Sequence, residues 1–103
     1  MADPMKIRAS MQGDAVDVKV LMNHEMETGQ RKDAEGKPVP EHFIQQVTAT
    51  YNGKTVLSAQ WGPAVSKNPF LAFKFKGGAK GGKVQVTWMD NKGDKRTDEA
   101  TIT

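Results

Sequence analysis

The sequence predicts an all-β fold, an antiparallel sandwich of about seven short strands. Apolar and polar residues alternate with a period of two in several runs, which is the pattern of a strand with one buried face. Residues that favour turns, mainly Gly, Pro, Asn and Asp, separate these runs. No segment has the apolar spacing of an amphipathic helix. These features are typical of the immunoglobulin-like sandwich, and a barrel of the OB type is the alternative.

The alternation also predicts which side chains lie inside. Val16, Val18, Val20 and Met22 share one face of the second strand, and Trp61 and Trp88 take inward positions on two other strands. The predicted strands cover residues 6–11, 15–22, 43–51, 54–61 and 70–76, then a run containing Val84, Val86 and Trp88, and finally residues 95–103.

Asn52 and Gly53 predict a tight hairpin between the third and fourth strands, because both residues tolerate positive φ. Inward positions on the two strands follow from the same alternation. They are Phe43, Val47, Ala49 and Tyr51 before the turn, and Leu57, Ala59 and Trp61 after it.

Residues 77–83 match the first seven positions of the phosphate-binding loop G-x-x-x-x-G-K. The next position should supply a hydroxyl for magnesium, but it is Val84, and a strand pattern follows where a helix is needed. We interpret the match as a glycine-rich hairpin turn.

The length of 103 residues predicts one domain, residues 1–103. No apolar run is long enough to span a bilayer, and the N-terminus does not have the pattern of a signal peptide. The absence of cysteine excludes disulfides and thiol chemistry. Residues 1–66 have seven Lys/Arg and eight Asp/Glu, whereas residues 67–103 have eight and four. This basic half suits an acidic partner, or a solvated face with lysine-guarded edges.

A long polar connection, residues 23–42, separates the second and third strands, and a loop of this length is usually functional or disordered. It contains both histidines, His24 and His42. One hypothesis is a metal-dependent enzyme that uses both, with Glu25, Glu27 or Glu41 as further ligands. We favour two exposed loop histidines instead. The sequence thus predicts no catalytic residues, no cofactor and no metal site.

We predict that the root of this connection, residues 22–28, is a protein-contact surface, because methionine suits adaptable interfaces. Its tip, residues 33–37, is expected to be mobile. Replacing both His24 and Met26 by alanine is expected to weaken partner binding without changing the thermal midpoint. The predicted interface residues are Met22, His24, Met26, Glu27 and Thr28.

Several short motifs are distinctive when they are taken in order along the chain. They are residues 24–29 (HEMETG), 38–40 (PVP), 51–53 (YNG), 61–62 (WG), 68–70 (NPF) and 88–93 (WMDNKG). In this order they resemble the SoxZ family, one subunit of the SoxYZ carrier of bacterial thiosulfate oxidation. The resemblance covers residues 5–102.

The resemblance implies an immunoglobulin-like subunit that forms a heterodimer with SoxY, whose C-terminal cysteine arm carries the sulfur substrate. It also implies transient contacts with other Sox enzymes. The periplasm is the implied location, reached by export together with a partner that has a signal peptide. Neither nucleic acid nor a membrane is expected as a partner.

The main alternative from another class is a small basic nucleic-acid-binding β-barrel. In that hypothesis aromatic side chains stack on bases beside lysines. The candidates are Trp61, Phe73, Phe75 and Trp88. Their alternation places them on the apolar face, which favours a role in the core.

Overall fold

A computed structural model describes residues 4–103 and confirms the all-β sandwich. A three-stranded sheet, in the order β1-β2-β5, faces a four-stranded sheet, in the order β4-β3-β6-β7, and all pairs within the sheets are antiparallel. Residues 4–103 include no helix that could cross a membrane. The strands are β1 (Lys6–Gln12), β2 (Ala15–Leu21), β3 (Ile44–Tyr51), β4 (Lys54–Gln60), β5 (Phe70–Lys76), β6 (Lys83–Asp90) and β7 (Lys95–Thr101).

The core lies between the two sheets and is built by the alternation in the central strands. On β2 and β6 every second side chain is buried, and the intervening residues are polar or face solvent. Most of the predicted inward residues are therefore confirmed as core. The largest fully buried side chains are Val16, Val18, Val20, Met22, Ile44, Val47, Val84, Val86, Trp88 and Ile102.

The start of β3 departs from the predicted alternation. The pairing with β6 shifts register between Ile44 and Gln46, so one extra residue lies in β3 at this point. Ile44 is fully buried and Phe43 is only partly buried. The expectation that Phe43 shares the inward face with Val47 is wrong in this detail, because the bulge moves the inward position by one residue.

The turn at Asn52–Gly53 and the glycine-rich turn before Lys83 both join strands, as predicted. Asn52 and Gly53 have φ of 50° and 78°, as a two-residue hairpin turn requires, and Tyr51 pairs directly with Lys54. After the glycine-rich turn, Lys83 begins strand β6 and not a helix. The phosphate-loop motif thus lacks the helix N-terminus that would bind phosphate.

One side of the sandwich is closed by contacts between β1 and the residues that follow β7. Ala9 of β1 forms a parallel bridge with Ile102, and the backbone of Thr103 bonds to both Ala9 and Met11. Counted from this closed side, β5 is the third strand of its sheet and β3 the third of the other. The ring contact between Tyr51 of β3 and Phe75 of β5, with centroids 5.4 Å apart, agrees with that alignment.

Candidate functional site

His24 and His42 meet at one end of the sandwich, and both contact the same carboxylate oxygen. Nε2 of His24 lies 3.0 Å from Oδ2 of Asp90, and Nε2 of His42 lies 2.7 Å from it. The two imidazole rings are 4.5 Å apart in a T-shaped arrangement. His24 and Asp90 are buried, whereas 27% of the His42 side chain is exposed. The interpretation as two exposed loop histidines is therefore wrong.

A backbone hydrogen bond assigns the tautomer of His24. The N–H of Met26 donates to Nδ1 of His24 at 3.0 Å, so Nδ1 is the acceptor and carries no hydrogen. In a neutral imidazole the other nitrogen must then be protonated. Nε2 of His24 therefore donates its hydrogen to Asp90, and the ring is held at both nitrogens.

Asp90 also organises the turn that follows β6. Its Oδ1 accepts hydrogen bonds from the backbone N–H groups of Lys92 and Asp94, at 3.0 and 2.9 Å. Burial alone raises the pKa of Asp90, but hydrogen bonds from His24, His42 and these two backbone groups outweigh it and lower the pKa below its ordinary value. Asp90 is thus a carboxylate whose two oxygens both accept hydrogen bonds.

The segment after β2 places His24 in this cluster because the inward alternation continues past the strand end. Met22, His24 and Met26 are all buried, like Val16, Val18 and Val20 before them. Asn68 holds the segment from outside, since its Oδ1 accepts from the N–H of His24 and its own N–H donates to the His24 carbonyl.

Met26 has a backbone conformation that needs support. Its φ is 51°, which is uncommon for a residue other than glycine. Besides its bond to His24, its sulfur lies 3.3 Å from the N–H of Ile44.

Asn91 holds the residue that precedes β3. Its backbone N–H donates to the Phe43 carbonyl, and its side-chain oxygen accepts from the Phe43 N–H.

The rest of the connection, residues 27–42, is a narrow two-legged ribbon, which we call the arm. Glu27 and His42 bridge the two legs at the base, and Lys32 and Pro38 bridge them near the tip. At the tip, Oδ1 of Asp33 accepts from the N–H groups of Glu35 and Lys37. The arm is mostly exposed but has regular hydrogen bonds, and the mobility of its tip stays a prediction.

The predicted interface residues divide into two groups. Met22, His24 and Met26 are exposed by only 1%, 7% and 5%, so these side chains build the interior and do not offer a contact surface. Thr28 is exposed and Glu27 is partly buried. The carboxylate of Glu27 binds the Arg31 guanidinium, which lowers the pKa of Glu27.

The cluster of His24, His42 and Asp90 resembles a metal site in its spacing, since its ligand atoms lie within 4.8 Å of one another. A metal-binding histidine normally donates its second ring N–H to an acceptor. His24 does the reverse, because its Nδ1 accepts from Met26. A metal on its Nε2 would require that bond to break, so these residues fit a hydrogen-bonded cluster better than a metal centre.

The acidic residues proposed as further ligands lie outside the cluster. Glu25 pairs with Lys67 at 3.6 Å, Glu27 binds Arg31, and Glu41 is exposed. Sequence reasoning did not identify Asp90 as a site residue. A signal was present, because Asp90 continues the inward series of Val84, Val86 and Trp88. A carboxylate in such a position must find hydrogen-bond donors.

The aromatic side chains do not form a surface for stacking on bases. Trp88 is 1% exposed and contacts the His24 ring edge-to-face, with centroids 5.1 Å apart. Phe75 is buried, and Trp61 and Phe73 are partly buried against the core. Within residues 4–103 the one exposed aromatic side chain is Phe70. Since the fold has two separate sheets, the barrel alternative is also wrong.

The sequence matches the family model described as "Sulphur oxidation protein SoxZ" over residues 5–101, nearly its whole length. The chain belongs to the SoxZ family. This agrees with the motifs around His24 and Asp90, whose side chains the fold brings into contact. A comparison with curated proteins gives no match.

Solved structures with similar folds come from other proteins. A hypothetical protein from Pyrococcus horikoshii is 20% identical, with a TM-score of 0.64 over 99% of this chain and 89% of that one. A superoxide reductase in the oxidised state is 20% identical, with a TM-score of 0.63 over 96% and 86%. A superoxide reductase (neelaredoxin) from Archaeoglobus fulgidus is 21% identical, with a TM-score of 0.58 over 97% and 86%. At these identities the likeness shows the fold alone.

Proposed function

We propose that this chain is the non-catalytic subunit of a heterodimeric sulfur carrier. It binds a SoxY-like subunit, whose C-terminal cysteine arm holds the sulfur intermediates of thiosulfate oxidation and carries them between Sox enzymes. The observation that carries the proposal is the match to the SoxZ family over residues 5–101. The periplasm is the proposed location, as the family implies.

Two features of the chain support a binding role. It has no cysteine, so a sulfur atom carried on a thiol must be attached to a partner. Its conspicuous polar cluster is also internally satisfied, because both oxygens of Asp90 and both ring nitrogens of His24 have partners. Such a cluster stabilises the end of the sandwich and leaves partner binding to the surface.

Co-expression with a SoxY-like subunit tests the proposal. We expect a 1:1 complex that elutes as one peak in size-exclusion chromatography at micromolar concentration, with its mass measured by light scattering. A SoxY-like partner that lacks its C-terminal cysteine segment should still bind. That segment is proposed to hold the sulfur intermediates and not to bind this chain. Two separate peaks for the intact pair would overturn the proposal.

The same pair should be recovered from cells. A tagged chain should capture the SoxY-like subunit from the periplasmic fraction of cells grown on thiosulfate. Capture only from the cytoplasmic fraction would contradict the proposed location but not the pairing.

A further inference from the structure

The two sheets are unequal, and this leaves one strand without a counterpart. The three-stranded sheet ends at β5, which is aligned with β3, whereas the other sheet continues to β4. A strand beside β5 would lie opposite β4. Within residues 4–103 no strand takes that place, and the only strand that pairs with β5 is β2.

The inner face of β4 is consequently covered only in part. Leu57 and Ala59 pair with Ala49 and Val47 of β3 and share their face. The two residues of β3 are fully buried, whereas Leu57 and Ala59 are only partly buried. Across the gap, Phe73 of β5 is also partly buried, although its neighbour Val18 is fully buried.

The opposite side of the sandwich has a different composition. There the partly buried inward residues of β7 include Arg96 and Asp98, which bond to each other. Asp98 also accepts from the backbone N–H of Met5. On the closed side, Arg96 and Asp98 are partly exposed but polar and hydrogen-bonded. On the open side, the partly exposed inward residues of β4 and β5 are apolar.

The stretch of sequence that forms most of this open side contains lysines and no acids, although Asp17 of β2 lies opposite Lys74 and Asp14 pairs with Lys76. Residues 54–89 include β4, β5 and most of β6, and they contain no Asp or Glu. Three of the lysines in this stretch pair with acids from other parts of the chain at 3.4–3.9 Å. The lysines are Lys54, Lys67, Lys74, Lys76, Lys80 and Lys83.

We propose that an extended, acidic segment of the partner subunit adds as a strand to the free edge of β5. Main-chain hydrogen bonds to β5 provide affinity, as in other cases of strand addition. Apolar side chains of the segment cover Leu57 and Ala59, and its acidic side chains face Lys74 and Lys76. This inference rests on the proposed function and identifies the surface through which the chain would bind its partner.

Amide hydrogen exchange in the complex with the SoxY-like subunit tests the geometry directly. In the free chain, the β5 amides that point away from β2 should exchange fast. On binding, alternate amides of Phe70–Lys76 should become protected by at least tenfold. The free edges of β4 and β7 serve as internal controls and should not change.

A pair of matched charge reversals tests the electrostatic part. Lys74→Glu with Lys76→Glu changes the open side, whereas Lys92→Glu with Lys95→Glu makes the same change in net charge at the turn before β7 and at its start. All four lysines are exposed. The first double variant should raise Kd about tenfold in dilute salt and less at high salt, because rim charges are screened. The second should have little effect.

The outcomes separate the two proposals. A complex whose protection appears on β4 or β7 and not on β5 would overturn the strand addition and leave the pairing intact. Equal weakening by both double variants would show an effect of net charge alone and would also overturn it. Failure to form any complex would overturn the pairing and the inference together.

Discussion

The carboxylate of Asp90 holds several segments together at the end of the sandwich where His24 and His42 meet. Oδ2 of Asp90 accepts from both histidines and Oδ1 from the turn after β6. The two histidine bonds join segments that are distant in sequence to the end of one strand, whereas the two backbone bonds hold the turn that directly follows it. The period of two could have predicted that Asp90 points inward, because it continues the series that ends at Trp88. It could not identify the donors, since these depend on how residues 22–28 cross the sheet end.

Replacing Asp90 by asparagine should destabilise the protein strongly. The amide removes the negative charge and has only one acceptor oxygen, so either a histidine or the backbone N–H groups of Lys92 and Asp94 lose their acceptor. A buried unpaired donor costs about 1–3 kcal/mol. Denaturation in urea measures the loss. The matched control is Asp94→Asn, which makes the same change at an exposed position of the same turn and should alter stability by less than about 0.5 kcal/mol.

The difference between the wild type and Asp90→Asn should depend on pH. The pKa of Asp90 is lowered from its ordinary value of 3.8, so the unfolded chain takes up this proton more readily than the folded one. The stabilisation is therefore fully present above about pH 4 and is lost as the pH falls through the lowered value. Urea titrations at several pH values should show the gap closing in acid. A constant gap would contradict the assigned role of the carboxylate.

At the scale of the strands, alternation predicts most of the fold. The predicted inward faces of β2 and β6 are fully buried as expected. The start of β3 was not predictable in this way, because a bulge between Ile44 and Gln46 changes the phase. The arm was read as a loop because its legs have no apolar alternation, and its ladder depends on main-chain bonds that are independent of side-chain type. The double alanine variant of His24 and Met26 is untested, but we now expect it to lower the thermal midpoint, because both side chains are buried and His24 bonds to Met26.

Adjacent residues of β6 should respond very differently to truncation. Trp88 is 1% exposed and Met89 is 41% exposed, because they point to opposite faces of one strand. Trp88→Ala should cost about 3–5 kcal/mol, a large part of the stability of a small domain. Met89→Ala should cost less than about 1 kcal/mol, as for a surface position. Guanidinium denaturation of both variants measures this, and similar midpoints would show that the facing of β6 is misassigned.

At the scale of the whole molecule, the sequence predicted the sandwich and, through its motifs, the family that the chain belongs to. It did not predict which side is open. That depends on the pairing order, which places three strands in one sheet and four in the other. The alternation of β4 and β5 is the same as that of a covered strand. The pattern alone therefore does not distinguish a fully covered inner face from a partly exposed one. The absence of acids between residues 54 and 89 is the one sequence feature that marks this side.

An uncovered strand edge can also pair with copies of its own chain, which is a common route to aggregation. Here such pairing would place Lys74 and Lys76 of one molecule against the same lysines of another, so repulsion should keep the isolated chain monomeric in dilute salt. The Debye length falls from about 10 Å at 0.1 M to about 3 Å at 1 M salt, and the repulsion should weaken with it.

Light scattering should therefore show self-association of the isolated chain as sodium chloride is raised. It should show none for the proposed complex, in which a strand of the partner would occupy the edge. Scattering that is independent of salt for the isolated chain would mean that something other than charge protects the edge. The colloidal stability of this subunit is thus expected to be a function of ionic strength until its partner binds.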